Sequence, residues 1–238
     1  MATLSMQIGN TQQDQQYDVY VNLSIQKGED GLGGAYCGQD AGNVYLSIFQ
    51  FTLPSAIPAG TTITSATMQL YGWDSWQLAN QLVLGFWIKD IASATDWVSP
   101  SHYATAADMP SWSTVGSTAT YPTEQQSTLY GIKWPPTGDM STVWNASGWN
   151  TSPDLSSLIQ FLVNKYSGLS AGAILQIYCG CYSTTGDAEI GFRDYSYTDT
   201  SLAAKLVINT SGGGTSVTPS FTITGIQSIT GIQSIKFS

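Results

Sequence analysis

The run from Asn43 to Tyr71 constrains the fold more than any other part of the chain. Asn43-Val-Tyr-Leu-Ser-Ile-Phe-Gln-Phe-Thr-Leu53 is rich in aromatic and β-branched residues and has strand length. Pro54-Ser-Ala-Ile-Pro-Ala-Gly60 follows, with two prolines and a glycine, which is turn chemistry. Thr61-Thr-Ile-Thr-Ser-Ala-Thr-Met-Gln-Leu-Tyr71 then alternates, placing Ala66, Met68 and Leu70 on one face. The pattern predicts an all-β domain.

The composition agrees. Charged residues are 10% of the 238, far below the roughly 25% of ordinary soluble domains. Hydrophobic residues at 42% and aromatics at 12% exclude a disordered chain. Helical bundles and coiled coils are excluded too, because they are rich in Glu, Lys, Leu and Ala. The polar surface must come from Ser, Thr, Gln, Asn and Gly, as in rigid extracellular or particle-surface β proteins.

Net charge is −9, with 7 Lys+Arg against 16 Asp+Glu. One Arg, Arg193, and scattered Lys make no basic stripe, so nucleic acid is not an expected partner. An anionic membrane surface is disfavoured for the same reason, and no apolar run reaches bilayer-spanning length. Met1-Ala-Thr-Leu-Ser-Met-Gln has no basic n-region or apolar h-region and does not read as a signal peptide. The expectation is a leader removed earlier, or synthesis in a cytosol followed by another route out, such as lysis.

Along the chain, residues 1–16 read as a polar, Gln-rich arm and 17–211 as the β domain. Residues 17–25 read as its first strand. Residues 27–43, with Gly28, Gly31, Gly33, Gly34, Gly38 and Gly42, read as a long loop. No Gly-Lys-Ser/Thr follows, so this is no phosphate cradle. Residues 81–89 give a further strand, and 92–150 an irregular, Trp- and Pro-rich middle. One helix is expected: Ser152 as N-cap, Pro153 at the first position, and Leu155, Leu158, Ile159, Leu162, Val163 and Tyr166 on one face, ended by Gly168. Residues 171–181 read as a buried strand, with 189–193 and 204–208 as the last strands of the domain. Residues 212–220 read as a Gly/Ser linker. The extension 221–238 repeats Thr-Gly-Ile-Gln-Ser-Ile at 224–229 and 230–235. Two copies are too few for a solenoid.

Cys179 and Cys181 share a strand face, and with Cys37 they read as small buried apolar residues, a disulfide from Cys37 being the lesser alternative. One Cys-x-Cys and the lone His102 do not supply a structural zinc site. A calcium site from Asp30, Asp40, Asp187 and Glu189 has no ligand spacing behind it. No metal or cofactor is expected. Arg193 is expected to pair with a carboxylate that locks the last turn, with Asp194, Glu189 or Asp187 as candidates.

The stretch Ile57-Pro-Ala-Gly-Thr-Thr-Ile-Thr-Ser-Ala-Thr-Met-Gln-Leu-Tyr71 resembles the corresponding segment of DNRLRE-type β-sandwich domains. Asp154-Leu-Ser-Ser-Leu-Ile-Gln-Phe-Leu-Val163 is similar to that family's helix, and Gly191-Phe-Arg-Asp194 with Ala204-Lys-Leu-Val-Ile208 to its final strands. The resemblance spans roughly residues 17–210 but is carried by these short stretches. It implies a jelly-roll sandwich found on secreted, cell-surface and phage-particle proteins, some binding acidic polysaccharide. The scarcity of basic residues here favours a neutral glycan instead.

The functional expectation is a non-enzymatic structural or decorating subunit on an assembled particle, a phage or virus capsid or tail. Its partners would be copies of itself or capsid or tail proteins, and its place the virion surface or the extracellular space. The extension carries this reading: Phe221, Ile223, Ile226, Ile229, Ile232, Ile235 and Phe237 form a strand apolar on both sides, which needs cover on both sides. Folding back on its own sandwich is the alternative. The second functional reading is a carbohydrate-binding module, with Trp73, Trp76, Trp97, Trp112 and Trp134 as stacking rings. No Gly-x-Ser-x-Gly elbow accompanies His102, so no catalytic residue is assigned.

Overall fold

The structure, a computed structural model, describes residues 2–9, 14–19, 25–28, 34–40, 43–89, 112–115, 118–122, 132–195 and 197–212. The described part is all-β with one α-helix. Its strands are β1 (Ala2–Gln7), β2 (Asp14–Val19), β3 (Ile25–Gly28), β4 (Gly34–Asp40), β5 (Asn43–Thr52), β6 (Ile57–Pro58), β7 (Thr62–Trp76) and β8 (Val83–Ile88). They continue with β9 (Trp112–Val115), β10 (Thr118–Pro122), β11 (Ile132–Trp134), β12 (Trp149–Thr151), β13 (Gly168–Leu169), β14 (Ile174–Ser183), β15 (Ala188–Arg193) and β16 (Lys205–Ser211). Helix α1 (Ser156–Lys165) lies between β12 and β13.

The main sheet runs β1-β16-β7-β15-β4-β5-β14-β8-β11 and curls on itself as a sandwich-type half-barrel. β7 is the strand that makes the curl. Its first half pairs with β16, from Gln69↔Lys205 to Thr62↔Ser211. Its second half pairs with β15, from Gly72↔Phe192 to Trp76↔Glu189. A register shift interrupts each pairing, at Asn209/Thr210 and at Gly191/Phe192, and such bulges bend and twist a strand. Ala66, Met68 and Leu70 of β7 face the core opposite Ile208 and Leu206 of β16, as the alternation predicts.

β5 and β14 differ from β7. Leu46–Phe51 and Ile174–Cys181 are buried at every position, so these strands are covered on both faces, and β10 lies against β14. The core joins Phe49, Phe51 and Phe192, with ring centroids of Phe49 and Phe192 5.4 Å apart, to Leu158, Ile159, Leu162 and Val163 of α1.

Four local expectations are corrected. Residues 2–7 are not an arm but the edge strand β1, because Leu4, Met6 and Ile8 alternate and Met6 and Ile8 are buried. Gly34–Asp40 is not loop but β4, and Gly34 lies under the Trp73 indole. The helix begins at Ser156, one turn after the expected start. Ser152 serves β7 instead: its hydroxyl accepts from Met68 N at 2.9 Å and its own N–H donates to Met68 O at 2.8 Å. Leu155 N donates to Ala66 O at 2.7 Å, and the Asp154 carboxylate accepts from Ala66 N at 2.8 Å. Gln160 Oε1 accepts from Ile63 N at 2.7 Å. Residues 152–160 thus satisfy the β7 edge beyond its short pairing with β12 (Gln69–Tyr71). Ser167, with φ 53°, takes the left-handed position after the helix that was assigned to Gly168.

All three cysteines are free and buried. Cys37 Sγ donates to Cys179 O at 3.2 Å. Burial, and then the nearby Cys37, pushes the Cys181 thiol up to about 12. Among the described residues no helix is long and apolar enough to cross a membrane, and no three metal-ligating side chains cluster.

Candidate functional site: the outward aromatic face of β7

The outward face of β7 and its neighbours carries a row of rings. Tyr71 and Trp73 alternate with buried Leu70 and Gly72, so both point away from the core. The bulge at Gly191/Phe192 falls opposite Trp73 and lets Trp73 and Asp74 both turn outward.

Trp73 lies directly on the backbone of β4 and β15. A Cβ on Gly34 would stand 2.5 Å from its indole nitrogen, and one on Gly191 would stand 2.8 Å away. This is why two glycines occupy strand positions: only a floor without side chains admits the indole. Tyr36 flanks it, with centroids 5.7 Å apart, and Tyr45 lies 6.3 Å beyond Tyr36. The Arg193 guanidinium carbon sits 4.7 Å over Trp73 and 3.9 Å over the ring of Tyr197. The Arg193 cation therefore packs against two rings, a placement the sequence did not suggest. The Trp73 indole N–H, turned into this packing, is buried without an acceptor among the described residues. Ordering that group without a bond costs about 1–3 kcal/mol, which the surrounding packing offsets.

A second cluster adjoins it. Trp149 of β12 stands opposite Tyr71, edge to face at 5.5 Å, and the Lys205 ammonium sits 4.1 Å over its ring. Trp149 is 37% exposed, and Trp76, at the end of β7, is 38% exposed. From Tyr71 to Trp76 the strand advances roughly 17 Å, so accessible rings bracket the more enclosed Trp73.

The sequence-predicted rings divide. Trp76 is exposed and Trp73 is half-buried under Arg193. Trp134 is 4% exposed, tilted on Phe86 at 5.5 Å and edge-on to Trp144 at 5.8 Å; it is a core residue with no face for a sugar. Trp97 lies outside the described residues, and of Trp112 only its place at the start of β9 is described. The assembly residues Phe221, Ile223, Ile226, Ile229, Ile232, Ile235 and Phe237 also lie outside them. Sequence reasoning missed Trp149, Tyr71, Tyr36 and Lys205. The alternation of Tyr71 with Trp73 is legible in the sequence; the arrival of Trp149 beside Tyr71 is a tertiary pairing.

Two further features shape the surface. Lys133, Lys165, Arg193 and Lys205 each sit over an aromatic ring, four of the seven cations of a chain of net −9. At one end of the sandwich a cleft of about 310 Å³ is lined by Gln81, Val83, Gly138, Asp139, Ser183, Thr184 and Thr185. Gln77 and Gln81, with φ 48° and 57°, bracket the turn beside it, and Asn80 O holds that turn through Thr184 Oγ1, Thr185 N and Thr185 Oγ1.

Fold and face together define an all-β, sandwich-type domain with an outward aromatic surface. The chain matches no protein-family model and no curated protein sequence at a significant level.

Proposed function

We propose that the protein is a non-enzymatic structural or decorating subunit of an assembled particle, a phage or virus capsid or tail. The supporting observation is where the chain leaves the domain. Thr210 pairs with Ala2, so the described chain ends beside the edge strand β1, and a strand-patterned extension follows. The resemblance of Ile57–Tyr71 to DNRLRE-type domains supports the same setting. Light scattering after size exclusion tests it on the full chain and on a form ending at Ser211. Assembly of the full chain with a monomeric truncation is expected; two monomers overturn it.

A second role is compatible with the first. Trp76 and Trp149, each over a third exposed on one strand face, favour a neutral glycan, whose C–H faces stack on rings and whose hydroxyls need no counter-charge. A glycan array is the test. Binding lost in Trp149→Ala and Trp76→Ala is expected, and unchanged binding in both removes this role.

A further inference from the structure

We propose that the outward edge of β1 is the acceptor for the C-terminal segment 221–237 of a second copy of the chain. This rests on the structural-subunit reading above and names the surface that reading requires.

β1 ends the sheet order, and among the described residues its strand partner is β16 alone. Ile8 N donates to Ala204 O at 3.0 Å. In an antiparallel ladder, hydrogen-bonded pairs recur every second residue. Met6↔Leu206 and Leu4↔Ile208 are therefore hydrogen-bonded pairs, and the peptide groups of Thr3, Ser5 and Gln7 point to the free side. Ala-Thr-Leu-Ser-Met-Gln carries none of the usual edge protection: no Pro, no charge, and no break in register. The same molecule does protect the far edge of β7, with Ser152, Asp154 and Gln160. The contrast marks β1 as an edge left open for pairing.

The occupant follows from the chain's exit and from the pattern of the extension. β16 ends at Ser211, beside Ala2, and residues 213–238 lie beyond the described part. Paired as a strand, the extension would turn Ile226 and Ile232 to one face and Ile229 and Ile235 to the other. Beside its own β1, such a strand would cover one face with the sandwich and leave the other in water, as exposed Thr3, Ser5 and Gln7 are. Contact between two copies supplies the second cover. Strand addition needs main-chain hydrogen bonds and pockets for alternate side chains, and a two-sided apolar strand offers both.

The test uses the full chain, a truncation after Ser211, and the full chain carrying Thr3→Pro and Ser5→Pro. Those prolines remove outward N–H groups without removing a β1–β16 bond, which an edge strand tolerates. Solution mass is read by light scattering and the β1 amides by hydrogen exchange. The expected result is an assembled full chain and a monomeric double-proline variant. Exchange over residues 2–8 is expected to be at least tenfold slower in the full chain than in the truncation. If the proline variant assembles as the full chain does, or if truncation leaves the exchange of residues 2–8 unchanged, β1 is not the acceptor even though assembly stands. A monomeric full chain with protected β1 amides means the segment folds back on its own domain, which overturns the second-copy assignment. A monomeric full chain without protection overturns the assembly reading as well. The exchange comparison needs no substitution, so a proline variant that misfolds does not stall the test.

Discussion

Trp134 and Trp149 show how far one residue type can diverge within a chain. Trp134 is enclosed by Phe86 and Trp144, and Trp134→Ala is expected to cost about 3–5 kcal/mol in chemical denaturation. Trp149 keeps a third of its surface in water, and it meets the edge of the Tyr71 ring and the Lys205 ammonium. Trp149→Ala is expected to cost only about 1–2 kcal/mol, with its larger effect on glycan binding. Glycine makes a matching point. Gly191→Ala drives a methyl against the Trp73 indole, Asp74 and Tyr36 together, and is expected to destabilise by about 1–3 kcal/mol and to shift tryptophan emission. The cysteines predict chemistry by its absence. Burial raises both Cys179 and Cys181 well above the ordinary thiol range, and all three side chains are enclosed. Native protein is expected to resist alkylation at Cys37, Cys179 and Cys181, while denatured protein takes three labels. Rapid labelling of the native fold contradicts this packing.

At the scale of elements, the segment 152–160 works as a partner strand made of side chains and two backbone N–H groups. Asp154 is its centre, accepting from Ala66 N at 2.8 Å and from Ser156 N at 3.0 Å and Oγ at 2.8 Å. Burial raises its pKa, but the bonds from Ala66 and Ser156 outweigh that and leave it below the ordinary 3.8. A carboxyl lowered on folding contributes stability that is present above the unfolded value and is lost as pH falls through the folded one. The advantage of the native chain over Asp154→Asn is therefore expected at pH 5 and above and to shrink as pH drops below about 3.8 in urea titrations. An advantage that grows with acid contradicts the assignment. The outward face of β1-β16-β7 shows the same economy of charge: Thr3 Oγ1 donates to Asn209 Oδ1 at 2.7 Å, and Asn209 Nδ2 donates to Ser65 Oγ at 2.9 Å. Neutral side chains build this cross-strand ladder.

At the scale of the molecule, the first and last described strands meet in one sheet. Ala2–Gln7 closes on Lys205–Ser211, and Met6 and Ile8 enter the core from the first residues of the chain. Deleting residues 1–8 is expected to lower stability by several kcal/mol, on the order of 4, because two buried side chains leave and β16 becomes the edge. Denaturation of the deletion measures this directly; an unchanged midpoint would return these residues to the role of an arm. The aromatic face has the same long-range origin, since it draws on β4, β7, β12 and β15.

Much was settled by local order in the sequence. The alternation of Ala66, Met68 and Leu70, the turn before Gly60, the apolar stripe of α1 and the scarcity of charge determine an all-β domain with one helix, because period and turn chemistry act over a few residues. Composition hid the rest. Gly34 and Gly191 look like breakers until the Trp73 indole needs their missing side chains, and the Gln-rich start looks like an arm until β16 arrives to pair with it. Trp134 and Trp149 are alike in sequence; only the meeting of distant strands buries one and leaves the other in water. Burial and pairing depend on what lies across the sheet, and no window along the chain contains that neighbour.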